Sequence, residues 1–216
     1  MYTDPVARIT MDELQRMAPY VDIWCPNRNG FLLDINADKL AFIKQQGRTH
    51  WTYECDDNVK HQSPLGYYRA QAWLVWHHGL TGIGFWSYCT SQNDPWFTPP
   101  DGHDYLIIYP GQGVVRSKRW YGIRDGIEDY GMLTVLREAL AAAKQANASG
   151  DAVQRAEQLL GEGASHIGGF CGTGGTTTPG REGLPGMRAQ ADAQWREFQQ
   201  TRRRIMDLLR ELRVKG

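Results

Sequence analysis

Hydrophobic and polar positions along this chain follow two periods, and the period switches several times. Val21-Asp22-Ile23-Trp24 alternates residue by residue and stops at Cys25-Pro26, which predicts a short strand. Thr49 to Cys55 reads the same way, and Ile83 to Ser87 is an apolar strand within Gly82-Ile83-Gly84-Phe85-Trp86-Ser87-Tyr88. Tyr2-Thr3, just before Asp4-Pro5, reads as the tail of another strand. Between these strands the period lengthens to that of a helix. Thr10 with Glu13 three residues later makes a capping box and predicts a short helix to about Met17. Asn36 predicts a helix from Ala37 to Gln46, closed by Gly47. Ser63-Pro64 opens a helix that runs to His78 and stops at Gly79, with Tyr68, Ala72, Val75 and Trp76 on its apolar stripe. Strand and helix therefore alternate from Tyr2 to Ser87, and that alternation implies an α/β fold with a parallel sheet.

Beyond Tyr88 the pattern changes. Asn93-Asp94-Pro95-Trp96 is a polar, aromatic loop, and Tyr105 to Tyr109 is an apolar segment that ends at Pro110-Gly111. Ser117 caps a helix with Met132, Leu133, Leu136 and Leu140 on one face; it is expected to break near Gly122 or Gly126 and continue to about Ala146. Ala148 to Leu160 is a second helical piece. From Gly161 to Gly186 ten of 26 residues are glycine, which predicts a flexible loop. A last amphipathic helix follows from Met187 to about Val214. Trp195, Phe198, Ile205, Leu209 and Leu212 share its apolar stripe, and Arg202-Arg203-Arg204 lie mostly opposite on a solvated face.

Charge narrows the function. Lysine plus arginine and aspartate plus glutamate number 24 each, a balance that argues against nucleic acid as a partner. No run approaches the roughly 18 apolar residues that a membrane span needs. Met1-Tyr2-Thr3-Asp4-Pro5 has neither the basic start nor the apolar core of a signal peptide. Four scattered cysteines make no disulfide framework. Six of the eight tryptophans lie between Trp24 and Trp96, a density that serves either a core or a surface that stacks on flat ligands such as sugar rings.

A strand that feeds an aromatic loop, followed by a helix that returns to the body, is how a β/α barrel displays a site. The active face then holds the residues after each strand: Trp24 and Asn27; Tyr53, Glu54 and Asp56; Trp86, Tyr88, Asn93, Asp94 and Trp96. Aromatic faces suit the CH side of a sugar, and Asn, Asp and Glu bond its hydroxyls, so this surface is suitable for holding a sugar. For Trp24 and Trp86 the competing assignment is packing at the barrel mouth. Glu54 with Asp56 is a candidate carboxylate pair of the ordinary glycosidase type. Arg124, Asp125, Glu128 and Asp129, next to Tyr130, fall at helical spacing that pairs Arg124 with Glu128; their expected role is structural, pinning the helix. Cys25, Cys55 and Cys89 with His103 would make a zinc-like set, but intervals of about thirty residues match no compact metal motif, so neither metal nor cofactor is expected.

Gly82-Ile83-Gly84-Phe85-Trp86-Ser87-Tyr88, Asn93-Asp94-Pro95-Trp96, Tyr109-Pro110-Gly111 and above all Ile123-Arg124-Asp125-Gly126-Ile127-Glu128-Asp129-Tyr130 resemble the C-terminal half of the glycoside hydrolase family 123 catalytic domain, also catalogued as domain of unknown function 4091. Val21-Asp22-Ile23-Trp24-Cys25-Pro26 is similar to an earlier strand of that family. The resemblance covers about residues 1 to 146. It implies a (β/α)8 barrel glycosidase whose characterised relatives hydrolyse β-linked N-acetylgalactosamine with retention, the substrate's acetamido group acting as nucleophile. In that family an adjacent Asp-Glu pair orients the acetamido group and protonates the leaving oxygen.

This chain departs from the family in having no Asp-Glu-Pro motif. Asp4, in Thr3-Asp4-Pro5, precedes Val21 by about one βα unit and fits the next strand better than the catalytic one. The expected organisation is a partial barrel of the last four βα units over 1–146, a helical extension over 147–160, the glycine-rich loop over 161–186 and the amphipathic helix over 187–216. The expected function is a hydrolase fragment that supplies the aromatic and polar wall of a sugar site. The alternatives are a non-catalytic carbohydrate-binding or scaffold protein, and a glycosidase that uses Glu54 and Asp56. Half a barrel leaves sheet edges open, so self-association or a need for the N-terminal half is also expected.

Overall fold

Four short strands and their crossovers set the frame. In the computed structural model, which describes residues 2–3, 9–28, 36–55, 62–91, 94–96, 104–173 and 183–214, the first elements are β1 (Tyr2–Thr3), α1 (Met11–Met17), β2 (Ile23–Trp24), α2 (Ala37–Gln45) and β3 (Thr49–Glu54). A π-helical segment, Pro64–Arg69, leads into α3 (Ala70–His78), and β4 (Gly82–Phe85) follows. Short strands come next: β5 (Cys89–Ser91), β6 (Asp104–Leu106), β7 (Ile108–Gly111) and β8 (Gly113–Arg116). The rest is helical: α4 (Lys118–Gln145), α5 (Asp151–Gln158), a second π-helical turn (Leu159–Gly163), α6 (Ala164–Gly168), α7 (Phe170–Thr173) and α8 (Gly183–Val214). The molecule is a mixed α/β protein of two compact units.

The first unit draws on Met1–Lys60 and His78–Val115. Its sheet is parallel and its order follows the sequence, β1-β2-β3-β4. Ile23 pairs with Thr49 and Trp24 with His50; the same register resumes beyond the strand at Asn27 and Tyr53. Parallel neighbours need a crossover, and the helices between strands provide it. The capping box at α1 forms: the Thr10 hydroxyl accepts from Glu13 N–H, and Glu13 Oε2 accepts from Thr10 N–H at 2.7 Å. Leu14, Ala18, Val21, Trp24 and Ile43 make the core of this unit, with Ile9, Met11, Leu40 and Phe42 packed around it. β5 and β6 pair antiparallel, with Cys89 opposite Leu106, and β7 and β8 form a second two-stranded ribbon.

The second unit draws on His61–His77 and Arg116–Gly216. The segment from Gly66 to Val75 is buried on every side, including Tyr67, Arg69, Gln71, Trp73 and Leu74, so the four-residue stripe expected from periodicity understates its burial. Among these side chains, each large apolar one contributes about 1.5–3 kcal/mol through burial. The expected break at Gly122 or Gly126 is corrected: α4 runs unbroken from Lys118 to Gln145. Those glycines instead let backbones touch. A Cβ on Gly122 would lie 2.3 Å from Pro64 O, and one on Gly126 would lie 2.8 Å from Arg69 O. The glycine-rich segment also needs correction over its described part. Residues 161–173 continue as helix, and a Cβ at Gly168 would meet the Leu74 nitrogen at 2.9 Å, so this glycine too serves close helix packing rather than a loop. Residues 174–182 lie outside the described set.

A buried carboxylate ties this unit together. Asp129 is fully buried on α4 and accepts from Arg69 Nε at 2.7 Å, Arg69 NH2 at 3.1 Å, Trp73 Nε1 at 3.0 Å and Arg202 Nε. Arg202, on α8, also donates to Asp125 O at 3.1 Å and to Glu128 at 3.2 Å. Phe198, one turn earlier on α8, lies under the Arg69 guanidinium, 4.1 Å from ring centre to Cζ. The buried stripe of α8 is Gln194, Phe198, Thr201, Ile205, Leu208, Leu209 and Leu212. Trp195, expected on that stripe, is 53% exposed, because Gln194 takes the inward position beside Gly66.

Asp129→Ala strips Arg69 of its buried partner, and it should lower the unfolding free energy by about 3–5 kcal/mol in urea titrations. Arg202→Ala, at a more open position, should cost only about 1–2 kcal/mol. A loss below about 1 kcal/mol for Asp129→Ala contradicts the hub assignment.

His50 on β3 supplies a pH dependence. Burial first, then the nearby charges of Lys44 and His78, pull its pKa down from 6.5 to about 4. The unfolded chain thus binds a proton at a pH where the folded chain does not, and stability falls as pH drops from 6.5 toward 4. His50→Gln should flatten the midpoint-versus-pH curve in that window; an unchanged slope counts against it.

Candidate functional site

The carboxyl ends of β2, β3 and β4 are knitted together by the residues just past them. Thr52 Oγ1 donates to Pro26 O at 2.8 Å, and Arg28 N–H donates to Tyr53 O at 2.7 Å. Trp86 N–H donates to Glu54 O at 2.8 Å, so the residue after β4 is held on the end of β3. The Glu54 side chain is the centre of this arrangement. Its Oε2 lies 2.7 Å from Arg28 Nε, with both side chains 3% exposed. Its Oε1 accepts from Cys55 N–H at 2.8 Å and from Asn27 Nδ2 at 3.5 Å. One carboxylate therefore fixes the tips of two strands and, through its own backbone, the start of the loop after a third.

Exposed aromatics follow β4 in the chain. Trp86 and Tyr88 are each 54% exposed, and the Trp86–Ser87 peptide is cis. The Tyr88 carbonyl accepts from the N–H groups of Ile107 and Ile108 at 3.2 and 3.1 Å, which ties the start of β7 to the loop after β4. Trp96 is 62% exposed and stacks on Tyr109, with ring centres 4.7 Å apart and planes 11° from parallel. Asp94 Oδ1 accepts from Trp96 N–H at 2.8 Å and closes the turn that carries the indole.

The residues expected at the site divide accordingly. Trp86, Tyr88, Asp94 and Trp96 stand at the surface, and Tyr53 is half-buried beside them in sequence on β3. Trp24 does not join them. It is fully buried in the core of its unit and offers no face to a ligand, so the packing assignment that competed with a place at the site is the one the structure shows. Glu54 is buried and ion-paired, so its carboxylate is committed to Arg28 rather than open to a substrate proton. Asn93, Asp56 and Asp4 lie outside the described residues, as does His103. Cys25 is buried while Cys55 and Cys89 are exposed, and no group of three His, Cys, Asp or Glu among the described residues is placed to hold a metal. Arg28, which holds Glu54, was absent from the sequence-based set; only its place four residues past β2 hinted at it.

Asp12 and Glu13 form the chain's adjacent Asp-Glu pair, and the structure gives them a different task from acid catalysis. Glu13 caps Thr10, and these hydrogen bonds from the Thr10 backbone and hydroxyl hold its carboxyl below the usual range, opposite to the raised pKa a general acid needs. Asp12 pairs with Arg16 at 3.0 Å on an exposed helix face. Arg124 and Glu128 meet at 3.5 Å along α4, and Arg124 also holds Asp125 at 2.8 Å. Tyr130 packs edge-on against Trp76, ring centres 5.3 Å apart. No helix among the described residues is long and apolar enough to cross a membrane.

Glu54→Gln should act on stability before chemistry. Leaving Arg28 buried without its counter-charge should lower the unfolding free energy by about 3–5 kcal/mol, read by urea denaturation. Asp12→Asn with Glu13→Gln, on an exposed cap, should cost about 1 kcal/mol. The reverse ranking sinks the assignment of Glu54 as the strand-tip anchor.

Comparison with known proteins agrees with the motifs. Residues 12–136, more than half the chain, match the profile described as glycoside hydrolase 123, catalytic domain. No curated protein sequence and no solved structure matches the chain. The match takes in the parallel strands β2 to β4, the aromatic loop and the Arg124–Tyr130 run, and the chain belongs to the glycoside hydrolase 123 catalytic-domain family.

Proposed function

We propose that this chain forms the last four βα units of a (β/α)8 barrel glycosidase and supplies the aromatic and polar wall of its sugar site. The observation that carries this reading is Trp86, exposed directly past the carboxyl end of β4 in a sheet of sequentially ordered parallel strands, with the exposed Tyr88 and Trp96 following it in the chain. A sequential parallel order is what successive units of a barrel have, and barrel sites sit at that end of the strands. Asp94, whose Oδ1 accepts from Trp96 N–H, adds a hydrogen-bonding group beside the indole.

The substrate class in this proposal is a β-linked N-acetylgalactosaminide, cleaved with retention through the substrate's own acetamido group. The chain's share of that chemistry is binding and orientation. Flat aromatic rings take the CH face of the sugar and exclude water from it, and rigid placement of a substrate lowers the entropy cost of reaction. In this proposal neither the adjacent Asp12-Glu13 pair, committed to a helix cap and to Arg16, nor Glu54, paired with Arg28, is the proton donor. The competing reading, a binding protein that keeps the wall and lacks the acid, draws on the same commitments.

Titration of the chain with methyl β-N-acetylgalactosaminide by saturation-transfer NMR separates these possibilities from a site with no sugar at all. Binding is expected, and Trp86→Ala should weaken it by about tenfold, a loss of about 1.4 kcal/mol. Residues 1–216 alone should not hydrolyse the glycoside. Absence of binding at millimolar ligand defeats the carbohydrate reading, and hydrolysis by this chain alone defeats the assignment of the acid to other residues.

A further inference from the structure

We infer that a groove in the second unit, between α5–α6 and α8, binds a small apolar zwitterion of the class of hydrophobic amino acids and dipeptides, with its carboxylate on Arg204 and its ammonium on Glu162. The groove encloses about 760 Å³, within the ordinary range for a small-molecule site. Its lining residues fall between Arg155 and Glu211 in the chain, beyond the family match that ends at residue 136, and none belongs to the aromatic wall. The inference goes beyond the carbohydrate reading and does not depend on it.

The arginine run on α8 divides into three surroundings. Arg202 is taken up by Asp129, Arg203 is exposed, and Arg204 lines the groove. The base of the groove is apolar, since its buried lining residues are Leu159, Leu208 and Thr201. Around this base most charges cancel in pairs. Arg155 on α5 meets Asp151 and, across the groove, Glu211 on α8, each at 2.6 Å. Arg210 meets Asp207 at 2.9 Å, and His166 on α6 meets Glu197 on α8 at 2.8 Å. Two lining charges remain. Arg204 is exposed and its side chain has no hydrogen bond or ion pair among the described residues. Glu162 is exposed, accepts from Gln158 Nε2 at 3.0 Å, and has no cationic partner among the described residues.

The two ties between the walls set their register. Arg155 with Glu211 and His166 with Glu197 run the α5–α6 wall antiparallel to α8. Arg204 falls midway between Glu197 and Glu211, about 10 Å along the helix from each. Glu162 falls between Arg155 and His166 on the facing wall. The unspent cation and the unspent anion therefore stand on opposite walls of one groove without pairing with each other. A guanidinium offers a carboxylate two parallel N–H donors, and an ammonium donates in turn to the Glu162 carboxylate. A hydrocarbon body between those two groups covers the apolar base. A ligand with a single charge leaves one of the two walls unanswered, and a neutral sugar answers neither.

Isothermal titration of the full chain with the dipeptide Leu-Leu and its two blocked forms tests this. Leu-Leu should saturate at millimolar concentration. N-acetyl-Leu-Leu, which lacks the ammonium, and Leu-Leu-amide, which lacks the carboxylate, should each bind about tenfold more weakly. Arg204→Gln should weaken Leu-Leu by about tenfold and erase its advantage over the amide. Glu162→Gln should erase its advantage over the acetylated form. Arg203→Gln, one residue away and outside the groove, should leave the Leu-Leu affinity within about twofold. Circular dichroism should show each variant folded, since all three positions are exposed on helices. Failure of Leu-Leu to bind at millimolar concentration overturns the inference and leaves the carbohydrate reading untouched. Equal affinity for Leu-Leu and either blocked form overturns it as well, as does a loss in Arg203→Gln that matches the loss in Arg204→Gln.

Discussion

The buried ion pair of Glu54 and Arg28 is the constraint on which the carboxyl end of the parallel strands in the first unit depends. A carboxylate with a 3% exposed side chain is costly to bury, and only a full set of partners makes it tolerable. Arg28, Asn27 and the Cys55 N–H provide that set, and all three come from the segments just past β2 and β3. The Glu54 carbonyl meanwhile holds Trp86. The polar groups that look from sequence like candidates for chemistry are therefore the scaffold, and the aromatics they support are what faces outward.

The second unit solves a similar problem with Asp129. Its carboxylate gathers donors from three helical segments, and the glycines at 122, 126 and 168 let those segments approach until backbone meets backbone. α8 lies past the end of the family match at residue 136, yet it supplies Arg202 to this centre and Phe198 to the packing around Arg69. The helical segment after the matched region is thus built into the unit rather than appended to it. Burying Arg69 with Asp129, and half-burying Arg202 beside them, favours a single helix arrangement, since any shift leaves a charge without its partner.

The aromatic content of the chain divides by the same logic. Trp24 and Trp73 are fully buried, and each is a core residue with no face to offer. Trp86, Trp96 and Tyr88 are held at the surface by backbone hydrogen bonds and by stacking, at positions where burial would have been the cheaper outcome for an apolar side chain. Exposure maintained by specific anchoring is the physical argument for the ligand contact proposed above.

Local chemistry was legible in the sequence. The Thr10–Glu13 cap, the strand at Thr49–Glu54, the Ser117 cap and the parallel order of strands all follow from short-range rules of periodicity and hydrogen bonding, and the Arg124–Tyr130 run carried the family. What sequence could not decide was which neighbour each side chain would meet. Glycine carries one letter for a loop and for a close helix contact, and only the approach of Pro64 to Gly122 tells them apart. A tryptophan after a strand reads the same whether its strand ends early, as at Trp24, or its loop is pinned outward, as at Trp86. Whether Glu54 is a free acid or half of a buried pair depends on Arg28, 26 residues away in the chain and 2.7 Å away in space. Short-range order is written in neighbouring residues; the fate of a charge or an aromatic face is settled by what the fold brings against it.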